Sequence, residues 1–312
     1  MAEQLDTFFL PSRIERTNIL EVVGRLAYIF DSSGQNRPHF FLNFDNVKKI
    51  DALGVLVLYK LLEYSVTHQC FKKPLFNLTH NNPIEQQIEK FGFSELITKL
   101  MDNKTKEQYY KNLTTLVTKD FIMAPVAMLK DDETSFQKTQ ALKEIVRYYG
   151  NNDISTMILQ LFSELFLNYI SHSEKDNKSV IVVHGNQQKI EFGCADNGIG
   201  IVASLRTNPR YKDVPSMQLL RNAIQRGVTS KENTDHVGYG LYYINEVVNR
   251  LNGQLLILTD EWMLQNIHGK IAVRRVARWK GTLLSINIPL TYAVTINDIE
   301  PVFNTQIKIN FV

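Results

Sequence analysis

The sequence predicts an α/β protein of two domains, and three observations carry that reading. The 312 residues make about two domains of roughly 150 residues each. Hydrophobic residues at 44% and charged residues at 21% are the usage of globular chains, which excludes disordered, collagen-like and membrane-embedded classes. Short apolar runs alternate with segments of helical period, the pattern of strands covered by helices.

Thr17 to Phe30 places Ile19, Val22, Val23, Leu26, Ile29 and Phe30 at helical spacing, with Asn18 and Glu21 set like a capping box. A polar loop, Asp31 to Pro38, leads to a short buried strand at His39 to Phe44. Gly54 to Gln69 reads as a helix, Pro74 to Leu78 as a strand and Ile84 to Phe91 as a third helix. From about Leu100 to Lys119 the period is lost among Lys, Asn, Thr and Gln, which marks a connector. Beyond it, Phe121 to Leu129 predicts a strand, and Glu133 to Tyr149 and Asp153 to Ser173 predict two helices separated by Gly150-Asn151-Asn152. Ser179 to Val183 and Lys189 to Cys194 form a hairpin-like pair. After a Gly-rich interval, Tyr239 to Leu251 predicts a helix, and Gln254 to Leu258, Lys270 to Val276 and Thr282 to Ile288 predict three strands.

Charge and cysteine usage narrow the partners. The 35 Lys and Arg against 32 Asp and Glu leave +3, with basic residues scattered apart from Arg274, Arg275, Arg278 and Lys280, so no nucleic-acid partner is expected. Cys70 and Cys194 stand far apart without C-x-x-C spacing, which argues against a disulfide framework or cysteine zinc site and fits a reducing, cytoplasmic setting. No apolar stretch approaches the roughly 18 residues that span a bilayer, so neither an export signal nor a membrane partner is expected.

Four short elements carry chemistry. In the helix Asp153 to Ser173, Glu164, Asn168 and His172 recur every fourth residue and share one face. Leu161, Phe162, Leu165 and Ile170 occupy the opposite side, so the polar face looks into water or into a ligand cavity. An amide oxygen beside a carboxylate suits Mg²⁺, which prefers hard oxygens and bridges phosphates; taken alone, such a face is also what a solvated helix shows. Asp196-Asn197-Gly198-Ile199-Gly200 follows an apolar strand, where glycines permit close backbone approach and Asp196 can accept from a base amino group. Gly238-Tyr239-Gly240 heads a helix whose unpaired N–H groups and dipole favour phosphate. Gly281-Thr282 opens a strand.

In this order the four elements resemble the nucleotide boxes of the GHKL ATPases. That superfamily includes the ATP-binding domains of sensor histidine kinases, bacterial anti-sigma-factor serine kinases, type II topoisomerases, MutL proteins and ninety-kilodalton heat-shock chaperones. The likeness covers roughly Phe121 to Leu290 and is nearest the anti-sigma-factor serine kinases. It implies a Bergerat-type two-layer α/β sandwich that binds ATP with Mg²⁺. Asn168 would then hold the metal, Asp196 would recognise the adenine amino group with help from Thr282, and Gly198 and Gly200 would shape the adenine pocket. Gly238 and Gly240 would close a lid, Ile201 to Val237, over the phosphates, and Glu164 would be the general base. Arg226 and Lys231 lie in that lid, as cations for the terminal phosphate or as solvated loop charges. No G-x-x-x-x-G-K-[ST] loop, third dinucleotide glycine or G-x-S-x-G elbow competes. His184, His236 and His268 have no metal-ligand spacing and are expected at the surface or in packing.

Asp45 to Val55, followed by a helix, a strand and Lys90-Phe91-Gly92-Phe93, resembles the STAS domain of anti-sigma-factor antagonists over roughly Phe8 to Leu100. The implied layout is a STAS-like α/β sandwich at 1–105, a linker at 106–119, the GHKL domain at 120–292 and a tail at 293–312. The STAS motif Asp-Ser-Ser-Gly carries a phosphorylated serine before the glycine; here Ala52 and Leu53 replace both serines. Leu53 is then either buried in its own domain or part of a contact, with the chain's own ATP domain or a second copy as partner. The function expected is Mg-dependent ATP hydrolysis or serine/threonine phosphorylation, with the STAS-like part recruiting a protein partner. The alternative is an ATP-gated binding switch with little turnover. A histidine-kinase role would require a separate histidine partner, since no phosphoacceptor helix pair is present.

Overall fold

A computed structural model describes residues 5–37, 39–71, 74–76, 83–91, 121–128, 143–150, 152–172, 179–231 and 238–290. The expected linker at 106–119 and the tail at 293–312 lie outside these, as do residues 133–142 of the expected helix, of which 143–149 are helical.

The N-terminal half builds a three-stranded parallel sheet, order β1-β3-β5, from β1 (Leu5–Phe9), β3 (His39–Asn43) and β5 (Pro74–Phe76). A separate parallel pair joins β2 (Arg13–Ile14) to β4 (Lys49–Ile50). These pairs were not expected as strands, because two residues are too short for alternation to register. Helix α1 (Ile19–Leu26) tightens into a 3-10 turn at Ala27–Asp31. The expected capping box does not form. Asn18 turns backward instead, its Oδ1 accepting from the Glu15 amide at 2.9 Å, and Glu21 pairs with Arg25.

Helix α2 (Ala52–Thr67) starts two residues earlier than the sequence suggested, because Asp51 caps it: Oδ1 accepts from the Gly54 amide at 2.8 Å. Every residue from Ala52 to Ser65 is buried. A helix apolar all round must be covered all round, and α2 lies between the three-stranded sheet and a second, larger one. Even its charges are internal, with Lys60 paired to Glu63 at 2.5 Å and the Tyr59 hydroxyl donating to Glu63. Helix α3 (Pro83–Lys90) completes this half.

The larger sheet has five antiparallel strands in the order β6-β7-β8-β10-β9: β6 (Phe121–Met128), β7 (Ser179–Gly185), β8 (Lys189–Ala195), β9 (Gln254–Ile267) and β10 (Lys270–Pro289). Where three strands were expected after Leu251, two long ones form a hairpin turning at His268-Gly269, both at positive φ. Register shifts on either side of Trp279 break the alternation that would have revealed one continuous strand.

Side-chain alternation divides this sheet between two cores. Ile181, Val183, Ile190, Phe192, Cys194 and Ile257 point into one, with Leu161, Phe162 and Leu165 of α4 (Asp153–His172) and with α7 (Gly240–Arg250). Val180, Val182, Ala195, Leu256, Leu258 and Leu283 point the other way, into one cluster with α1 and α2. Trp279, fully buried, meets Phe30 edge-on at 5.5 Å in that second cluster. At these residues both faces of the sheet are therefore covered, with α1 and α2 on the side opposite α4 and α7.

Candidate functional site

Strand register builds the first half of the site. Ala195 lies opposite Leu283 in the β8–β10 ladder, so Asp196 arrives beside Thr282, and its amide donates to the Thr282 carbonyl at 2.9 Å. Asp196, 6% exposed, turns inward, where Oδ1 accepts from the amides of Gly198 at 2.7 Å and Thr282 at 3.2 Å. Two backbone donors fix the carboxylate rotamer. Gly281, at φ +89, passes so close that a β-carbon would press on the Asp196 backbone oxygen and stand 2.5 Å from its Oδ1, so no side chain fits there. Thr282 pairs in turn with Thr259 of β9, whose hydroxyl accepts from the Ile201 amide at 3.0 Å. Gly200, at φ +79, would set a β-carbon 2.6 Å from that same hydroxyl.

Packing of α4 against α7 builds the second half. At Gly240, the first residue of α7, a β-carbon would stand 2.8 to 2.9 Å from both amide atoms of Asn168 and 2.9 Å from Glu164 Oε2. Glycine thus lets the positive end of a helix come down on a carboxylate and an amide. The Tyr243 hydroxyl, one turn on, donates to Gln160 Oε1 at 3.0 Å and ties the helices together. Burial raises the Glu164 carboxyl above its usual range. Burial, with Glu164 nearby, likewise raises the Tyr243 phenol. Asn168 Nδ2 is buried with no hydrogen-bond partner among the described residues. His172 belongs to α4, but its side chain lies outside the described residues.

Between the halves runs the segment expected to be a lid. Most of it is not loop: α5 (Ile201–Arg206), a 3-10 turn at Pro209–Tyr211 and α6 (Ser216–Asn222) bury Val202, Leu205, Leu219 and Leu220 in the first core. Residues 225–231 follow with turns and no helix or strand. There the Gly227 amide donates to the Gly238 carbonyl at 3.2 Å, and Gly238, at φ +70, has no room for a β-carbon against Val228. Arg226 stacks 5.2 Å from the Tyr239 ring centre and donates to its hydroxyl at 3.2 Å. Lys231 closes a local turn through its amide and the Thr229 hydroxyl. His184 packs edge-on against Phe91 and meets Glu191 at 3.2 Å, while His268 lies in the β9–β10 turn; His236 lies outside the described residues.

Residues 153–291 match the family of histidine kinase-, DNA gyrase B- and HSP90-like ATPases. That match supports a GHKL-type ATPase domain over this segment. No curated protein and no solved structure matches the chain. The match begins at the first residue of α4 and ends just beyond β10, so every element of the site falls inside the GHKL domain.

Proteins of the matched family bind ATP, generally with Mg²⁺. Among the described residues no three His, Cys, Asp or Glu side chains cluster to hold an ion by themselves. One carboxylate and one amide beside a helix N-terminus still fit Mg²⁺, because that ion keeps most of its waters and takes other oxygens from phosphate. The unpartnered Asn168 amide also fits, since a buried donor left unpaired costs about 1–3 kcal/mol until an acceptor such as a phosphate oxygen reaches it. Sequence reasoning missed Thr259. It reads as an ordinary strand residue, and only the β9–β10 register aligns it with Thr282 and Asp196.

Proposed function

We infer that the GHKL domain binds Mg-ATP between α4, α7 and the ends of β8 and β10, and cleaves it with Glu164 as general base. The observation that carries this reading is the contact of Gly240 with both Glu164 and Asn168, which sets an acid, an amide and a helix N-terminus around one point. Asp196 accepts from the adenine amino group, and Gly198, Gly200 and Thr282 wall that end. Asn168 is the protein ligand to Mg²⁺, which when bound screens the phosphate charge and polarises the terminal phosphoryl group. Glu164 takes the proton of the attacking hydroxyl, from water or from a serine or threonine of a partner. As the new O–P bond forms, the β–γ bridge bond breaks and ADP leaves. Burial that raises the Glu164 pKa brings it nearer the range in which a base works at neutral pH.

The N-terminal half is the regulatory part in this reading and meets a protein partner, in keeping with a STAS-like ancestry and a cytoplasmic setting. Its helix α2 rests on β8, the strand that delivers Asp196, and this packing favours a second reading in which ATP chiefly gates partner binding. Incubation with γ-labelled ATP and native lysate tests both. Label released as phosphate or carried on protein supports catalysis, whereas tight ATP binding with neither supports the gate.

A further inference from the structure

A second cavity, of about 850 Å³, lies on the face of the five-stranded sheet away from α4 and α7, under the N-terminal half. That volume falls within the roughly 300–1,000 Å³ of small-molecule sites. Residues of β2, β4 and the start of α2 form its roof, and His184, Glu191, Gln254 and Asn287 of the larger sheet form its floor. None of the GHKL nucleotide residues lines it.

Its charges are unbalanced in a specific way. Glu15 is already engaged by Arg13 at 2.6 Å and Lys49 at 2.7 Å. Glu191 is engaged by Lys189 at 3.0 Å and His184 at 3.2 Å. Asp51 spends its oxygens on the amides of Gly54 and Arg16, each at 2.8 Å. Two guanidinium groups on the wall make no ion pair among the described residues. Arg274 stands exposed on β10. Arg16 is half-buried; Nη1 donates to Gln254 Oε1 at 2.7 Å, and Nε is buried without an acceptor.

We propose that this cleft binds a small anion carrying a carboxylate or a phosphate group, anchored by Arg16 and assisted by Arg274. A planar guanidinium fork matches either group with two parallel hydrogen bonds. Desolvation lowers the Arg16 pKa to about 10, against the raising pull of Glu191 and Asp51. An anion in the cleft offsets that desolvation. A purely structural Arg16, present to tie Thr17 and α1 to β9, requires only the Gln254 bond and leaves Arg274 without a role.

The test uses the full chain in thermal-shift and calorimetric titrations with inorganic phosphate and with succinate. Sodium chloride at matched ionic strength is the control, and each series is run with and without saturating ADP. The expected result is a saturable rise in Tm beyond the chloride control for at least one probe, retained with ADP present. Affinity should fall roughly tenfold or more in Arg16→Gln and measurably in Arg274→Gln. Arg274 is exposed, so Arg274→Gln carries the test even if Arg16→Gln does not fold. Phosphate but not succinate identifies a phosphate site, and the converse a carboxylate site. No rise beyond chloride overturns the proposal, as does a response equal in wild type and Arg274→Gln, or one abolished by ADP. A chain indifferent to ADP but responsive through Arg16 and Arg274 sinks the ATP reading and leaves the cleft standing.

Discussion

A β-carbon on Gly193 would lie 3.1 Å from Leu56 Cδ2 and 3.8 Å from Leu53 Cδ1. Helix α2 therefore meets the middle of the five-stranded sheet at a glycine, and Leu53 is 5% exposed within that contact. The two alternatives left open for Leu53 merge, since it is buried and its contact is the chain's own ATPase sheet. Leu53→Glu would bury an unpaired charge and unfold the junction, so it does not separate docking from folding.

Gly193 provides the gentler probe. Gly193→Ala needs a shift of only a few tenths of an ångström at a flexible leucine tip, whereas Gly193→Val should lose about 1–3 kcal/mol by overpacking. Urea unfolding of both variants measures this. A Gly193→Val midpoint equal to wild type would refute the close approach of α2 to β8.

Asp196→Ala removes the acceptor that two amides hold in place. ATP affinity should fall by about 1–3 kcal/mol, roughly 5- to 150-fold. Calorimetry reads it directly, and equal affinity in the variant rules out the adenine assignment.

Glu164→Gln should keep ATP bound while turnover drops by about 10²–10⁴-fold, the usual contribution of a general base. Unchanged turnover removes Glu164 from the chemistry.

Glu164 also makes a prediction in stability. Burial raises its pKa above 4.5 in the folded chain, so the native state holds the proton more tightly than the unfolded state does. Its contribution is present in full below the unfolded pKa and is lost as pH rises through the folded one. In the absence of nucleotide, Glu164→Gln should therefore melt above wild type at pH 8 and lose that advantage at pH 4. An advantage that grows toward acid reverses the sign and refutes the desolvated carboxylate.

Cys70 and Cys194 are both buried, and burial raises both thiols above 9. The native protein at pH 8 should take up no aromatic disulfide reagent over minutes, and in urea it should take up two equivalents. Rapid native labelling would place a cysteine at the surface.

The site was legible where chemistry writes itself into adjacent residues. Asp196 with its glycines, Gly238 with Gly240, and the four-residue spacing of Glu164 and Asn168 each sit within one turn or one helix. Thr259 was not legible, because its place beside Gly200 depends on a ladder between strands and not on its neighbours in sequence. The short helices within the expected lid were not legible for a similar reason: Leu219 and Leu220 look like loop residues among Pro215, Gln218 and Arg221 until the core they fill is known. The run Leu53 to Leu62 did carry a signal, since a helix apolar on every side announces a second cover.

Synthesis order gives that helix an awkward interval. The strand on which α2 rests begins at Lys189, about 120 residues after the helix ends at Thr67, and at about 5–20 residues per second the ribosome takes roughly 6–24 s to reach it. During that interval one side of α2 has the emerging N-terminal sheet for cover and the other side has none. Hydrophobic surface exposed for seconds is what holdase chaperones recognise and what drives nascent chains to aggregate. Ribosomes that stall before β8 should accordingly leave chaperone-bound fragments, and release from the chaperone should coincide with emergence of β8 and β10.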